Sequence, residues 1–153
     1  MRGRPYKKVA VGGSFDVLHR GHRALLDRAF DVSEYVLIGL TSTEMAGKDI
    51  AAYEKRKKTI EDFLEHRGRY DIVELNDPLG DAVSDGAIDG IVVSEETAPR
   101  ALKINELRKK GGLGALKIFS IPLVLAEDGR PISSTRIKRG EIDEEGRVLP
   151  ERK

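Results

Sequence analysis

The sequence predicts a single α/β domain built on an open, parallel sheet of five strands with helices on both faces. Apolar, strand-like runs alternate with helical patterns along the whole chain, which is typical of such sheets. The 153 residues are enough for one domain with a core. No internal repeat, low-complexity tract or linker divides the sequence, so we treat residues 1–153 as one domain.

The composition excludes several classes of protein. Basic and acidic residues number 27 and 26, giving a net charge of +1, so there is no electrostatic case for a nucleic-acid partner. The absence of cysteine excludes disulfides, thiolate nucleophiles and cysteine metal sites. No apolar run approaches the roughly 20 residues of a membrane span, and the basic N-terminus leads into a strand. We therefore expect a cytoplasmic protein without a membrane partner.

The first strand and the turn after it organise the chain. Residues 9–11 form a short apolar run, as expected for a strand covered on both faces. Gly12 and Gly13 end the strand, and their lack of a Cβ lets another group approach the backbone closely. A helix is predicted from Gly21, because apolar residues recur at helical spacing after it. These residues are Ala24, Leu25, Ala29 and Phe30.

Two histidines at the start of this helix indicate a phosphate-binding site. A strand–turn–helix unit points free backbone N–H groups and the positive end of the helix at one spot. His19 and His22 are three residues apart, so both can reach that spot and donate hydrogen bonds to phosphoryl oxygens. No Gly-Lys-Ser/Thr follows, which excludes the Walker loop, and the glycine spacing does not match the dinucleotide fingerprint. A lone pair of nearby histidines would more often be structural, and the surrounding motif favours the functional interpretation.

The remaining elements continue the alternation. Further strands are predicted at residues 35–40, 70–75, 90–94 and 116–121. Helices are predicted at residues 53–66, briefly around 82–83, from a cap at Thr97 to residue 110, and from about 133 to Gly140. The charged residues 141–153 are expected to form a short helix or a loose tail.

A polar loop at residues 41–52 follows the second strand, at the sheet edge where open α/β folds bind ligands. Lys48 lies in this loop and could reach a phosphate, although an exposed surface lysine is the alternative. The basic run at residues 55–58 is interpreted as a solvated helix face.

A second anion-binding motif follows the fifth strand. Ser133, Ser134 and Thr135 can cap a short helix and still offer hydroxyl and N–H groups to an anion. Arg136 adds a forked donor. An ordinary helix cap is the alternative for this segment alone. Together with the histidines, it would supply one anion site for each end of a triphosphate.

These motifs resemble those of the nucleotidylyltransferase superfamily, which combines a Rossmann-like fold with a Gly-x-Phe-Asp turn and a His-x-Gly-His signature. Residues 12–22 resemble the first motif of phosphopantetheine adenylyltransferases. Residues 92–97, with 104–105 beyond them, are similar to the archaeal enzymes and to the matching domain of eukaryotic coenzyme A synthase. Residues 132–136 are similar to the C-terminal nucleotide motif of these enzymes. The resemblance spans about residues 8 to 140.

The resemblance implies an enzyme of coenzyme A biosynthesis that joins ATP to 4′-phosphopantetheine. The products would be dephospho-CoA and pyrophosphate, and Mg²⁺ would be bound through the ATP phosphates, without a protein metal site. The substrate phosphate is already an anion, so no protein nucleophile or general base is needed. Catalysis would then consist of positioning and of neutralising phosphoryl charge.

The resemblance also assigns roles to individual residues. His22 would hydrogen-bond the α-phosphate, Lys48 would bridge both substrates, and His19 would support the β- and γ-phosphates. Ser14 and the amide of Phe15 would hold the attacking phosphate. The other expected nucleotide contacts are Gly12, Gly13, Glu96, Ser133, Ser134, Thr135 and Arg136. For Glu96, a ribose contact and a helix cap are equally good interpretations.

The sequence departs from the bacterial enzymes after the fourth strand. Those enzymes place arginines there, whereas this chain has Ser94, Glu95 and Glu96. The bacterial hexamer therefore cannot be carried over, and a monomer is possible.

Two alternative functions remain. One is another transferase of this scaffold, acting on glycerol phosphate, a flavin or nicotinamide mononucleotide. The other is a nucleotide-binding sensor without turnover.

Overall fold

The computed structural model describes residues 6–47 and 49–150. The strands are β1 (Val9–Gly13), β2 (Tyr35–Thr41), β3 (Arg69–Leu75), β4 (Gly90–Ser94) and β5 (Lys117–Ile121). The helices are α1 (Arg20–Val32), α2 (Thr43–Ala46), α3 (Tyr53–Leu64), α4 (Ala98–Lys110) and α5 (Ser134–Lys138), with a 3₁₀ turn at Gly80–Val83. None of the helices within these described ranges is long and apolar enough to cross a membrane.

The five strands form one parallel sheet in the order β3-β2-β1-β4-β5, which confirms the predicted fold class. The chain builds outwards from β1 to β3 and then returns to place β4 on the other side of β1. The strand order therefore reverses between β1 and β4. In open α/β sheets the crevice outside the carboxyl ends of the strands at such a reversal binds the ligand.

Each face of the sheet packs against its own helices, because successive side chains of a strand point to opposite faces. In β1, Val9 and Val11 belong to the cluster under α1 and α3, whereas Ala10 belongs to the cluster under α4. The first cluster also contains Leu26, Phe30, Val36, Ile38, Leu40, Ile60 and Leu64. The second also contains Ile88, Ile91, Val93, Ala101, Ile104 and Leu116.

A third apolar cluster fixes the C-terminal segment, so the prediction of a helix or a loose tail is wrong for residues 141–150. Ile142 is fully buried and packs with Ala126 and Ile132. It also pairs with Val148 in an isolated antiparallel bridge. One buried isoleucine within a run of charges gives too weak a periodic signal to predict this packing.

Two local differences concern the residues around the ligand-binding edge. Helix α1 begins at Arg20, one residue earlier than predicted, because the side chain of His19 caps it. A short helix, α2, occupies part of the predicted polar loop, and its N-cap Ser42 accepts a hydrogen bond from the Met45 amide.

Candidate active site

A cleft of about 300 Å³ opens where the strand order reverses. It brings together residues from four parts of the chain: the end of β1 with the start of α1, the end of β4, the end of β5 with the residues after it, and the start of α5. The predicted site residues that line it are Gly12, Gly13, Phe15, His19, His22, Glu96, Ser133 and Ser134.

The two histidines form a reciprocal cap at the start of α1. His19 Nδ1 accepts hydrogen bonds from the amides of Gly21, at 3.0 Å, and His22, at 3.3 Å. His22 Nδ1 in turn accepts from the His19 amide at 3.4 Å. This is the arrangement of a capping box, with imidazoles in place of the usual side chains. Since both Nδ1 atoms accept, each neutral ring carries its proton on Nε2.

Close packing holds both rings in place. The rings of His19 and His22 stack with centroids 3.7 Å apart, and the buried ring of Phe15 lies 5.1 Å from that of His22. Gly21 is required between the histidines, because a Cβ there would lie 2.9 Å from His19 Cε1. Phe15 has a φ of 46°, a left-handed conformation that costs a non-glycine residue energy and is concentrated at functional sites.

Both imidazoles are neutral at pH 7 in the unliganded cleft. Burial lowers the pKa of His19 to about 3, and the neighbouring charges of His22 and Arg23 lower it further. Burial also lowers the pKa of His22 to about 4, against the opposing effects of the Val17 carbonyl and Asp16. A bound polyanion would raise both values. The rings therefore act first as neutral hydrogen-bond donors.

Ser14 lies in the turn after β1 and is not among the residues that line the cleft, although its neighbours Gly13 and Phe15 are. Its Oγ accepts a hydrogen bond from Thr41 Oγ1 at 2.8 Å, and its carbonyl accepts one from Arg56 Nη1 at 3.0 Å. Arg56 is 1% exposed, so the prediction of a solvated helix face is wrong for this member of the basic run. The available signal was spacing: Arg56, Ile60 and Leu64 are four residues apart and share the buried face of α3.

The second motif forms the predicted short helix, α5. Ser133 caps it, since its Oγ accepts from the Arg136 amide at 3.2 Å. Ser133 and Ser134 line the cleft, whereas Thr135 and Arg136 do not. The Arg136 guanidinium instead pairs with Asp128 and donates to the Pro131 carbonyl at 3.0 Å. A phosphate contact from Arg136 stays a prediction.

Lys138 links α5 to the turn after β1. Its ammonium group pairs with Asp16 and also contacts the carbonyl of Asp49. Asp16 Oδ1 accepts from the Ala51 amide at 3.0 Å, so the carboxylate joins three segments. Sequence reasoning missed these contacts, because they join residues more than 30 positions apart. Lys48 lies outside the described residues.

A second, apolar pocket borders the cleft on the α4 face of the sheet. The two share Gly12 and Thr97. Its other lining residues include Leu37, Val73, Leu75, Leu79, Val93 and Ile104. Its volume is about 60 Å³, so it could admit the end of a ligand arm while the rest of the ligand reaches the cleft.

Comparison with known proteins agrees with this geometry. Residues 10–140 match the family described as cytidylyltransferase-like. Two proteins named phosphopantetheine adenylyltransferase are similar over nearly the full chain. The one from Methanothermobacter thermautotrophicus is 49% identical, and the alignment covers 95% of this chain and 92% of the relative. The one from Methanosarcina barkeri is 47% identical and covers 92% of each.

A solved structure from Archaeoglobus fulgidus, of a protein of unknown function, has a similar fold. Its TM-score is 0.66 at 31% identity, covering 74% of this chain and 88% of that one. The family match covers most of the sequence and includes both anion-binding motifs. The chain therefore belongs to the cytidylyltransferase-like family.

Proposed function

We propose that this cleft transfers AMP from ATP to 4′-phosphopantetheine, giving dephospho-CoA and pyrophosphate in coenzyme A biosynthesis. The activity is that of a phosphopantetheine adenylyltransferase, the name carried by the relatives described above. One structural observation carries the assignment: the histidine pair and the serines that open α5 line the same cleft. A triphosphate could therefore be held at both ends.

The nucleotide contacts follow from the positions of the donors. His22 Nε2–H would donate to the α-phosphate as charge develops there, and His19 would support the β- and γ-phosphates. The hydroxyl and N–H groups of Ser133 and Ser134 would bind the same β- and γ-phosphates, with Thr135 and Arg136 beside them. Gly12 and Gly13 let the nucleotide approach the end of β1. Glu96 lines the cleft, which supports a contact to a ribose hydroxyl.

The acceptor would enter from the other side of the β1 end. Its phosphate would bind Ser14 and the amide of Phe15, and its pantetheine arm would extend into the apolar pocket that meets the cleft at Gly12. The acceptor phosphate would then displace pyrophosphate from the α-phosphorus in line. Positioning two anions against each other is the main task, since the nucleophile is already charged.

Magnesium would arrive with ATP. Within residues 6–47 and 49–150, no group of three or more His, Cys, Asp or Glu side chains could hold a metal ion. Glu96 supplies a carboxylate to the cleft lining. Mg²⁺ prefers oxygen ligands and commonly binds through substrate phosphates with few protein carboxylates. This donor set fits a cation that neutralises phosphate charge on the nucleotide.

An acceptor panel tests the proposal. The purified chain is incubated with ATP, Mg²⁺ and one phosphorylated acceptor at a time, and released pyrophosphate is measured. We expect release with 4′-phosphopantetheine and none with pantetheine, which lacks the attacking phosphate. Turnover of glycerol phosphate with CTP, or of a flavin or nicotinamide mononucleotide with ATP, would indicate a different transferase. Nucleotide binding without pyrophosphate release would indicate a sensor.

A further inference from the structure

A buried arginine lies directly beneath the turn that carries Ser14. Arg56 Nη1 donates to the Ser14 carbonyl at 3.0 Å and to Thr41 Oγ1 at 3.1 Å, and Nε donates to the Ala51 carbonyl at 2.6 Å. Thr41 is also buried, with 7% of its surface exposed. These contacts join α3, the end of β2 and the turn after β1.

The chemistry of the three groups fixes the direction of the hydrogen bonds. A guanidinium can only donate, so Thr41 Oγ1 must accept from Arg56. The single hydroxyl proton of Thr41 is then directed to Ser14 Oγ, 2.8 Å away. Ser14 Oγ accepts this hydrogen bond, which leaves its own O–H free to donate. Ser14 is half-buried and stands between Gly13 and Phe15, which line the cleft, so its hydroxyl can act as a donor at the edge of the cleft.

The hydrogen bonds of Arg56 do not by themselves explain its burial. Nη2 is buried and has no hydrogen-bond partner within the described part of the chain. The oxygens that Arg56 does contact are neutral: two carbonyls and a hydroxyl. A buried cation of this kind is costly unless an anion offsets its charge. The Asp16 carboxylate supplies part of that offset, since it opposes the lowering of the Arg56 pKa by burial, but Asp16 is already paired with Lys138. Because Arg56 bonds the Ser14 carbonyl, its positive charge also lies next to the turn where an acceptor phosphate would bind.

We propose that Arg56 and Thr41 are positioning residues that hold the Ser14 hydroxyl as a hydrogen-bond donor for the phosphate monoester of the acceptor. This inference rests on the proposed function, since it concerns the acceptor subsite of the same cleft. Neither residue touches substrate. Arg56 holds the turn through the Ser14 carbonyl and orients the Thr41 hydroxyl. The Thr41 hydroxyl then donates to Ser14 Oγ and so orients the Ser14 hydroxyl.

A double-mutant cycle tests the proposal. Dissociation constants for 4′-phosphopantetheine are measured by calorimetry for the wild type, Thr41→Val, Ser14→Ala and the double variant. Each single substitution should weaken binding about tenfold, the size expected for a hydrogen bond to a charged group. Thr41→Val should add less than twofold once Ser14 is alanine, because the hydroxyl that it orients is gone. Independent, multiplying effects would overturn the proposal.

Pantetheine is the ligand control, because it lacks the phosphate. Its binding should change less than twofold in every variant, whereas a general distortion of the site would weaken both ligands equally and contradict the proposal. Thr41→Ser retains a hydroxyl and should restore binding. Thr59→Val makes the same change at an exposed position of α3 and should bind like the wild type.

Arg56→Lys gives the same discrimination if Thr41→Val does not fold. Lysine keeps the positive charge but lacks the planar guanidinium with its several N–H donors. The substitution should weaken phosphopantetheine binding at least fivefold without affecting the binding of pantetheine. Arg108→Lys is its control, because Arg108 is equally buried but contacts the carbonyls of Ala82, Asp85 and Gly114. Wild-type affinity in Arg56→Lys would overturn the inference. Absence of pyrophosphate release by the wild type would instead reject the proposed function.

Discussion

The two elements that meet in the cleft are held by different kinds of contact. The two imidazoles of the histidine turn, residues 19–22, are fixed by hydrogen bonds and ring stacking between residues three or fewer positions apart. Helix α5 is fixed by ion pairs to distant residues, namely Arg136 with Asp128 and Lys138 with Asp16. The two imidazoles are therefore preformed, and both are neutral at pH 7. Helix α5 has its cations engaged by protein carboxylates before any phosphate arrives.

This difference predicts separate consequences for chemistry and for nucleotide affinity. Changes in the preformed turn should lower turnover strongly, since its donors face the place where transition-state charge develops. Changes around α5 should instead alter ATP binding, because Asp128 would compete with a phosphate for the Arg136 guanidinium with which it is paired. Four experiments test the contrast.

Replacing His22 with alanine should have the largest effect. We expect kcat to fall roughly 100-fold or more, as for loss of a transition-state donor, with little change in thermal stability. Pyrophosphate release under saturating substrates measures kcat, and calorimetry measures the melting temperature. His66→Ala is a control at an exposed histidine. Wild-type turnover in His22→Ala would contradict the assigned role.

The same contrast explains what could be predicted from the sequence. Strands β1, β2 and β4 could be predicted because each contains a compact apolar run, and the histidine pair because its geometry depends on neighbours within one helical turn. The cap at Ser133 is local in the same sense. In each case the interacting groups lie close together in the sequence.

Contacts between distant segments could not be predicted in this way. Arg56 appears within a basic run, and its burial depends on Ser14 and Thr41, which come from other elements. The pairing of Arg136 with Asp128 depends on the loop before α5, and the packing of Ile142 depends on a small third cluster. These interactions join residues eight or more positions apart, so no local periodicity specifies them.

Gly21→Ala tests how tightly the histidine turn is packed. The added Cβ would lie 2.9 Å from His19 Cε1, so the ring must move and the reciprocal cap is broken. We expect kcat/KM to fall about tenfold, the loss of roughly one well-made hydrogen bond to a charged group. Gly114→Ala is the matched control, because a Cβ there meets nothing within 4 Å. Equal activity in the two variants would show that His19 tolerates displacement.

Asp128→Asn tests the ion pair that Asp128 forms with Arg136 of α5. The side-chain hydrogen bond from Arg136 is the main reason that the pKa of Asp128 is lowered to about 2, so the two groups are strongly paired. Removing the charge should free the guanidinium and lower the KM for ATP about threefold. Steady-state kinetics with varied ATP measures this. An unchanged KM with a lower melting temperature would assign Arg136 a purely structural role.

Stability in mild acid tests the burial of the histidine pair. The folded-state pKa values of His19 and His22, about 3 and 4, lie below the ordinary value of 6.5. Between pH 6.5 and about 4 the unfolded chain therefore binds more protons, and stability falls as the pH falls. Urea unfolding at pH 7, 6 and 5 measures this loss, which should be smaller with ATP because phosphate raises both pKa values. His66→Gln should leave the profile unchanged, whereas a profile flat down to pH 5 would contradict the burial of the pair.

The most direct test of the account is a crystal structure of the chain with an ATP analogue that cannot be cleaved between the α- and β-phosphates. The account predicts an α-phosphate oxygen about 3 Å from His22 Nε2, with the β- and γ-phosphates at Ser133 and Ser134. A triphosphate bound elsewhere, with the Nε2 atoms of both histidines left without a phosphate contact, would contradict it.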